Sequence, residues 1–239
     1  MEENKPLVTV GIAVYNGEKY ILESLKSINE QSYSNLQVCI VDDASTDNSY
    51  YLCKKWSEQS RFPVMVLKNT TNLGLSATCN VILTHAKGKY LQLFDQDDIM
   101  LPDKIENDVS EFEQLNEKVA LIYSKVQLIN EKSEVLNQDY NDRIEFNGIL
   151  SLNPFAQLLK KNFVPAPTVL LRNDLVKKTG GYDETVVYND WDMWLKLTKN
   201  YQIAYFDRTT VRYRIHTTSI MAENSNQKLI ERNEINILE

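Results

Sequence analysis

A chain of 239 residues can bury a large core, as one big α/β domain or as two small ones. Hydrophobic residues make up 43% and charged residues 25%, a globular balance, and a formal net charge of -7 disfavours nucleic acid as a partner, because phosphate binding needs a basic surface. The opening MEENKPLVTV lacks the basic-then-apolar pattern of a signal peptide, and no apolar run approaches the roughly 20 residues that span a bilayer. Cys39, Cys53 and Cys79 form no CxxC pair and no cluster with His85 or His216. Zinc is therefore not expected, and cysteines read as reduced and buried point to a reducing, cytosolic compartment.

Strand-like and helix-like patterns then alternate. Residues 7–15, LVTVGIAVY, are β-branched and apolar and predict a buried strand. Over 18–31, Ile21, Leu22, Leu25 and Ile28 share one helical face. LQVCIV at 36–41 predicts a second strand closed by Asp42 and Asp43, and Ser45 or Thr46 is placed to cap a helix running to about Ser57. PVMVLKN (63–69) predicts a third strand, SATCNVILTHA (76–86) a helix and KYLQLF (89–94) a fourth strand. Short strands joined by helical crossovers imply an α/β fold, with a mainly parallel central sheet and helices on both faces. Such sheets take their ligands outside the carboxyl ends of the strands. Those ends carry Tyr15 and Asn16, then Asp42 and Asp43, then Asp95, Gln96, Asp97 and Asp98.

The second half is less regular. Residues 119–129 predict a strand or strand pair, a polar turn region extends to about Asn147, and a helix near 154–161 precedes a strand at 168–172. A Gly180-Gly181 turn leads into a helix through DWDMWLKLTK, and QIAYFDRTTVRYRIH carries alternating strand patterns, with Arg212 and Arg214 read as surface charges. No repeat, low-complexity tract or composition shift marks a linker. The expected organisation is one domain over 1–222, with halves 7–100 and 101–222. A polar, helix-compatible tail at 223–239 ends without an evident stop, as in a fragment of a longer chain.

Three carboxylates in FDQDD repel one another unless a cation lies between them. At a strand end Asp95 and Asp97 face the same way, and oxygen ligands select hard ions such as Mg²⁺ or Mn²⁺. An acidic turn with Asp98 or Asp103 capping the next helix is the structural alternative, and Asp42-Asp43 has the same two readings. Two acidic strand ends at one sheet edge favour a single cause, a site for a metal-bound phosphate and a sugar ring. An EF-hand does not fit, because its glycine position falls on Met100. GxxxxGKS/T and GxGxxG are both absent, so the backbone is not the obvious phosphate cradle and a carboxylate-held divalent ion replaces it. Asp190 or Asp192 can look into the site from a helix start as a general base, and His216 is either structural or joins the metal or diphosphate.

Seven segments in order resemble inverting family-2 glycosyltransferases of the GT-A fold, over about residues 7–220. They are VTVGIAVYNGEKYILESLKSINEQSY, VDDASTDNS, NLGLSATCN, FDQDDIMLP, TGGYDE, NDWDMWLKL and YRIHTTS. The resemblance implies a GT-A fold, with 7–100 as the nucleotide-binding half and 101–222 as the acceptor and catalytic half. It implies that Ala13, Tyr15 and Asn72 line the nucleoside pocket, that Asp43 accepts a hydrogen bond from the base, and that Asp95 approaches the ribose. Asp97 would bind Mn²⁺ or Mg²⁺ with His216 near the diphosphate, and Asp190 would deprotonate the acceptor. Asn189 stands where an acidic residue is more usual, and Thr78 where arginine is usual.

The implied activity is metal-dependent, inverting transfer of a sugar from a nucleoside diphosphate donor, with UDP the expected nucleotide. The implied acceptor is a saccharide or lipid-linked saccharide, as in cell-surface polysaccharide synthesis, with peripheral contact at the inner membrane face. A nucleotidyltransferase, which would carry a basic Gly-rich loop after its first strand, and a non-catalytic nucleotide-sugar-binding module, which would not need Asp190, are the alternatives.

Overall fold

The computed structural model describes residues 5–137, 147–150 and 153–216. The expected tail at 223–239, most of the polar region before Asn147 and the Thr217-Thr218-Ser219 end of the last motif lie outside them.

The first half alternates as expected. Strand β1 (Val8–Val14) is followed by helix α1 (Ile21–Asn29), β2 (Leu36–Asp42), α2 (Ser49–Ser57), β3 (Val64–Lys68), α3 (Leu75–His85) and β4 (Tyr90–Leu93). β1 pairs in parallel with both β2 and β4, and β2 with β3. The second half adds β5 (Ile99–Met100), α4 (Lys104–Gln114), β6 (Val119–Ile129), β7 (Gly148–Ile149), α5 (Pro154–Leu158), β8 (Leu170–Arg172), α6 (Asn173–Lys178), α7 (Asn189–Thr198) and β9 (Gln202–Arg214). β8 inserts antiparallel between β4 and β6, and β6 runs parallel to β9. The order across the sheet is β3-β2-β1-β4-β8-β6-β9-β5, with β7 on β9. The long strands pair in parallel, and the antiparallel ladders belong to the short β5, β7 and β8.

Side chains alternate between two buried clusters, as the period of 2 along a strand requires. Along β2, Val38 and Ile40 join a core with Ile21, Leu25 and Ile28 of α1 and Ile105, Val109 and Phe112 of α4. Cys39 and Val41 join the other, with Ile82 and Leu83 of α3, Val176 of α6 and Trp194 of α7. Helices therefore cover both faces. All three cysteines are free and buried in these layers. Burial pushes the Cys39 thiol up to about 11 and those of Cys53 and Cys79 to about 12. No helix among the described residues is long and apolar enough to cross a membrane.

Several boundaries differ from expectation. Residues 119–129 and 202–214 are single long strands. Pro165 precedes and Pro167 lies within a 3-10 turn at Ala166–Thr168, which delays the next strand to Leu170. α5 stops at Leu158 rather than 161. Helix α6 and the two-residue strands β5 and β7 carry too little periodicity to be read. One further contact decides how closely α3 can lie on β1. A Cβ on Gly11 would fall inside the van der Waals envelope of Ile82 Cγ2 and 2.9 Å from Leu93 Cδ2. Gly11→Ala is expected to cost about 1–3 kcal/mol as overpacking, read from a lowered urea midpoint. An unchanged midpoint would mean that α3 can retreat freely.

Candidate active site at the carboxyl edge of the sheet

The ends of β1, β2 and β4 meet at one edge, and each loop is fixed by side chains of another. The segment after β2 was expected to cap α2 through Ser45 or Thr46. Instead α2 starts at Ser49, and neither residue caps it. Their groups are taken by the loop after β1. Ser45 Oγ accepts from Asn16 N (3.0 Å), Ser49 Oγ from Gly17 N (2.8 Å) and Asp47 Oδ2 from Glu18 N (3.0 Å). Asn16, at φ 47°, accepts in return from Thr46 N at 2.9 Å, and Glu18 accepts from Asn48 N at 2.9 Å.

Ala13 sits half-buried on β1, opposite Val41 of β2, and Tyr15 is 45% exposed just beyond the strand. Asp43 is buried and serves the segment before α3. Its Oδ1 accepts from Asn69 Nδ2 and from Leu73 N, both at 2.8 Å, and its Oδ2 accepts from Gly74 N at 2.9 Å. A carboxylate has about four acceptor sites, so about one is left for a ligand. Asn72 Oδ1 also accepts from Gly74 N (3.0 Å), which draws Asn72 into the same turn. Thr78 Oγ1 accepts from Asn69 Nδ2 at 3.2 Å, which holds that amide against Asp43.

Beyond β4 the chain turns through Asp95, Gln96, Asp97 and Asp98. Gln96 was not singled out as a site residue, but it locks this turn to the first loop. Its Oε1 accepts from Tyr15 N, and its Nε2 donates to Tyr15 O, both at 3.1 Å. Gly17 leaves room for that amide, since a Cβ there would overlap Gln96 Oε1. Asp98 does not cap α4, whose first residue follows Asp103. It is fully buried and accepts from the main-chain N of Arg214 at 2.8 Å.

Arg214 was expected at the surface and is 2% exposed. Its guanidinium donates to Asp97 O (2.7 Å), Asn130 O (3.1 Å), Ser133 Oγ (2.9 Å) and Glu23 Oε2 (2.5 Å), and lies 4.6 Å from the Tyr20 ring centroid. Two residues on, His216 Nε2 meets Asp97 Oδ2 at 2.7 Å. The end of β9 is thus fastened to the acidic turn at three points.

Negative charge is left over. Burial first, then the charges of Asp95 and Asp97, push the Asp98 carboxyl well above the usual range, against the pull of Arg214. Asp95 is pushed up by desolvation, then by Asp97 and Asp190. Its side chain opens to solvent, which damps the desolvation, so the upward direction rests more firmly on the two neighbouring carboxylates. Asp190 therefore lies within electrostatic reach of Asp95, although 95 residues separate them.

Asp190 stands in the first turn of α7. Its Oδ2 accepts from Asn162 Nδ2 at 3.2 Å, and the indole of neighbouring Trp191 donates to Leu158 O at 2.7 Å. Asp192 points elsewhere, to an ion pair with Lys196 at 2.7 Å. Asn189 is buried and turns its amide to Cys79 Sγ at 3.8 Å. Asn80, unremarked in the sequence, holds the glycine turn. It accepts from Tyr182 N (2.8 Å) and donates to Tyr182 O (2.9 Å).

No three His, Cys, Asp or Glu side chains among the described residues are grouped to hold an ion unaided. Asp97 and His216 are a carboxylate and an imidazole side by side, hydrogen-bonded at 2.7 Å, and a divalent ion held by both would replace the proton between them. A mixed carboxylate and imidazole pair suits Mn²⁺ better than Mg²⁺.

A parallel α/β sheet with acidic loops gathered at its carboxyl edge is the architecture of enzymes that handle nucleotides. The family model for glycosyl transferase family 2 matches residues 9–180, and the chain belongs to that family as a glycosyltransferase. A relative from Methanocaldococcus jannaschii, the uncharacterized glycosyltransferase MJ1057, is 29% identical over 218 residues, covering 90% of this chain and 72% of that protein. Staphylococcus aureus TarS 1–349 in complex with UDP-GlcNAc superposes with a TM-score of 0.77 at 19% identity, over 94% of this chain and 63% of that one. Mannosyltransferase PcManGT from Pyrobaculum calidifontis, in complex with GDP-Man and Mn²⁺, gives 0.70 at 20% identity, over 92% and 60%. The chain thus spans less than two thirds of each of these two structures, and at such identities they establish the GT-A fold alone.

Arg214→Met removes the guanidinium that bonds to Asp97 O and to Glu23, and leaves Asp98 buried. It is expected to lower stability by about 3–5 kcal/mol, read by chemical denaturation at pH 7. A loss below about 1 kcal/mol would show that water can replace the guanidinium.

Proposed function

We propose that this chain transfers a sugar from a nucleoside diphosphate donor to an acceptor hydroxyl, with inversion at the anomeric carbon. The observation that carries the reading is the convergence of Asp95, Asp97 and Asp190 at one sheet edge, where the other two carboxylates push Asp95 up and His216 meets Asp97 at 2.7 Å. Asp97 and His216 would hold a divalent ion, Mn²⁺ before Mg²⁺ by their donor types. When bound it acts as a Lewis acid that stabilises the charge building on the leaving diphosphate. Phosphate oxygens and water would complete its shell, since no third His, Cys, Asp or Glu among the described residues is grouped with a metal-holding pair.

The other roles follow from position. Tyr15, exposed beyond β1, stacks on the base beside Ala13, and Asp43 offers its remaining acceptor site to a base N–H, with Asn72 on the adjoining turn. Asp95 receives ribose hydroxyls. Asp190 takes the proton of the acceptor hydroxyl while that oxygen bonds to the anomeric carbon from the face opposite the diphosphate. The bond to the phosphate oxygen breaks, and its electron pair leaves with the nucleotide. TarS binds UDP-GlcNAc and PcManGT binds GDP-Man, so a UDP or GDP sugar is the natural donor class, with UDP expected first. The acceptor is a saccharide or lipid-linked saccharide, and action at the inner membrane face accords with that acceptor. A non-catalytic binding module leaves the upward shift and fixed setting of Asp190 without purpose.

Calorimetry with Mn²⁺ is expected to give weak binding alone and at least tenfold tighter binding with UDP or GDP present, as two protein ligands require. Equal affinity with and without nucleotide would count against the shared site. Asp97→Ala is expected to abolish that coupling. Asp190→Asn is expected to keep donor binding and lose about 10²–10⁴ in kcat. Burial, outweighing its hydrogen bonds, holds the Asp190 carboxyl above the usual range. A base works deprotonated, so kcat should rise with pH through a midpoint above the ordinary carboxylate value of about 4.

A further inference from the structure

We infer that Asn162 is a positioning residue for Asp190, its side-chain amide fixing the plane of that carboxylate toward the acceptor and stabilising its anion. The inference rests on Asp190 being the base, as proposed above. Asn162 lies 28 residues before Asp190, in a segment that none of the family motifs includes.

The amide is held from both sides. Its Oδ1 accepts from Val164 N at 3.2 Å, which leaves the NH₂ end turned to Asp190 Oδ2 at 3.2 Å. The segment that carries it is stiff. Asn162 precedes Phe163-Val164-Pro165-Ala166-Pro167, where two prolines fix φ, and Thr168 Oγ1 closes the turn by donating to Pro165 O at 2.8 Å. A second bond ties the same segment to α7, from Trp191 Nε1 to Leu158 O at 2.7 Å. Adjacent residues of α7 are thereby fixed to one short stretch of chain, the first through its carboxylate and the second through its indole. Rotation of the Asp190 carboxylate would break the Asn162 bond.

The remaining surroundings do not supply this constraint. The main-chain amides of Asp190 and Trp191 also hold the carboxylate, but they travel with α7 and do not relate it to the rest of the cleft. Tyr182 and Tyr188 face it from the preceding turn and Cys79 from α3, and burial keeps all three protonated. Asp95 faces it from the loop after β4 as a second carboxylate, which disfavours the anion. Among these groups Asn162 is the neutral donor from outside the helix, suited to hold a carboxylate that must be anionic to take a proton and must not be paired away by a cation.

The test compares Asn162→Ala, Asn162→Asp and Asp190→Asn with the wild type in the full chain. UDP-GlcNAc and GDP-mannose with Mn²⁺ serve as donor probes, and carboxyl carbon NMR follows the titration of Asp190, assigned by the signal lost in Asp190→Asn. Asn162→Ala is expected to lower kcat by about tenfold to a hundredfold, the loss that a hydrogen bond to a charged group carries. The acid limb of kcat and the Asp190 titration should both move to higher pH, with donor KM within about twofold. Asn162→Asp, of the same shape, should move both further and stands in if the alanine variant does not fold. Lost kcat with an unmoved limb and an unmoved titration would make Asn162 structural and overturn the inference. Wild-type kcat and titration in Asn162→Ala, with Asp190→Asn inactive, would overturn it while leaving the base assignment intact. Wild-type turnover in Asp190→Asn would overturn the base assignment, and the inference with it.

Discussion

The edge of this sheet concentrates carboxylates, and the arrangement depends on one buried guanidinium. Arg214 reaches the acidic turn through its side chain, its main-chain N–H bonds to one oxygen of Asp98, and the chain direction it sets delivers His216 to Asp97. Desolvating an arginine costs several kcal/mol unless its donors find partners. Here they meet Glu23, Ser133 and two carbonyls, and the Tyr20 ring packs against the plane. The remote end of β9 becomes a fixed wall beside the acidic turn after β4, whose neighbouring loops come from the first hundred residues.

A division of labour among the acids follows. Asp43 has both oxygens engaged, mostly by main-chain N–H groups, and Asp98 has one, held by the N–H of Arg214, so both act as struts. Asp95, Asp97 and Asp190 gather at the sheet edge, Asp97 held by His216 and Asp190 by Asn162 and the first main-chain amides of α7. Five carboxylates with the same intrinsic chemistry are separated by the company each keeps. The same logic places a fully buried lysine in the other half. Lys104 donates to Gln92, Asp108 and Thr168 O, joining α4 to β4 and to the turn that precedes β8.

Much of the first half was legible, because buried parallel strands are written as continuous β-branched runs with acidic ends. Asp95 and Asp97 could be singled out since carboxylates crowded at a strand end are costly without a reason, whereas only the family resemblance separated Asp190 from Asp192. Residues whose partners are far along the chain were not legible. Arg214 alternates in β9 like a surface residue, and its partner Glu23 lies 191 positions away. Ser45 and Thr46 have the composition of helix caps, but the loop after β1, about 30 residues earlier, captures them. Gln96 stood in plain view inside FDQDD, but a neutral amide among acids has no local signature, and its two bonds to Tyr15 exist only once the loops meet. Asn162 lacked even a motif around it.

The grip of Gln96 on both main-chain polar atoms of Tyr15 reproduces what a neighbouring strand would provide where no strand continues. The two loops it spans share a single hydrogen-bonded frame, so displacement of either is transmitted to the other. The aromatic end and the acidic end are then mechanically linked, and the edge resists being opened a piece at a time.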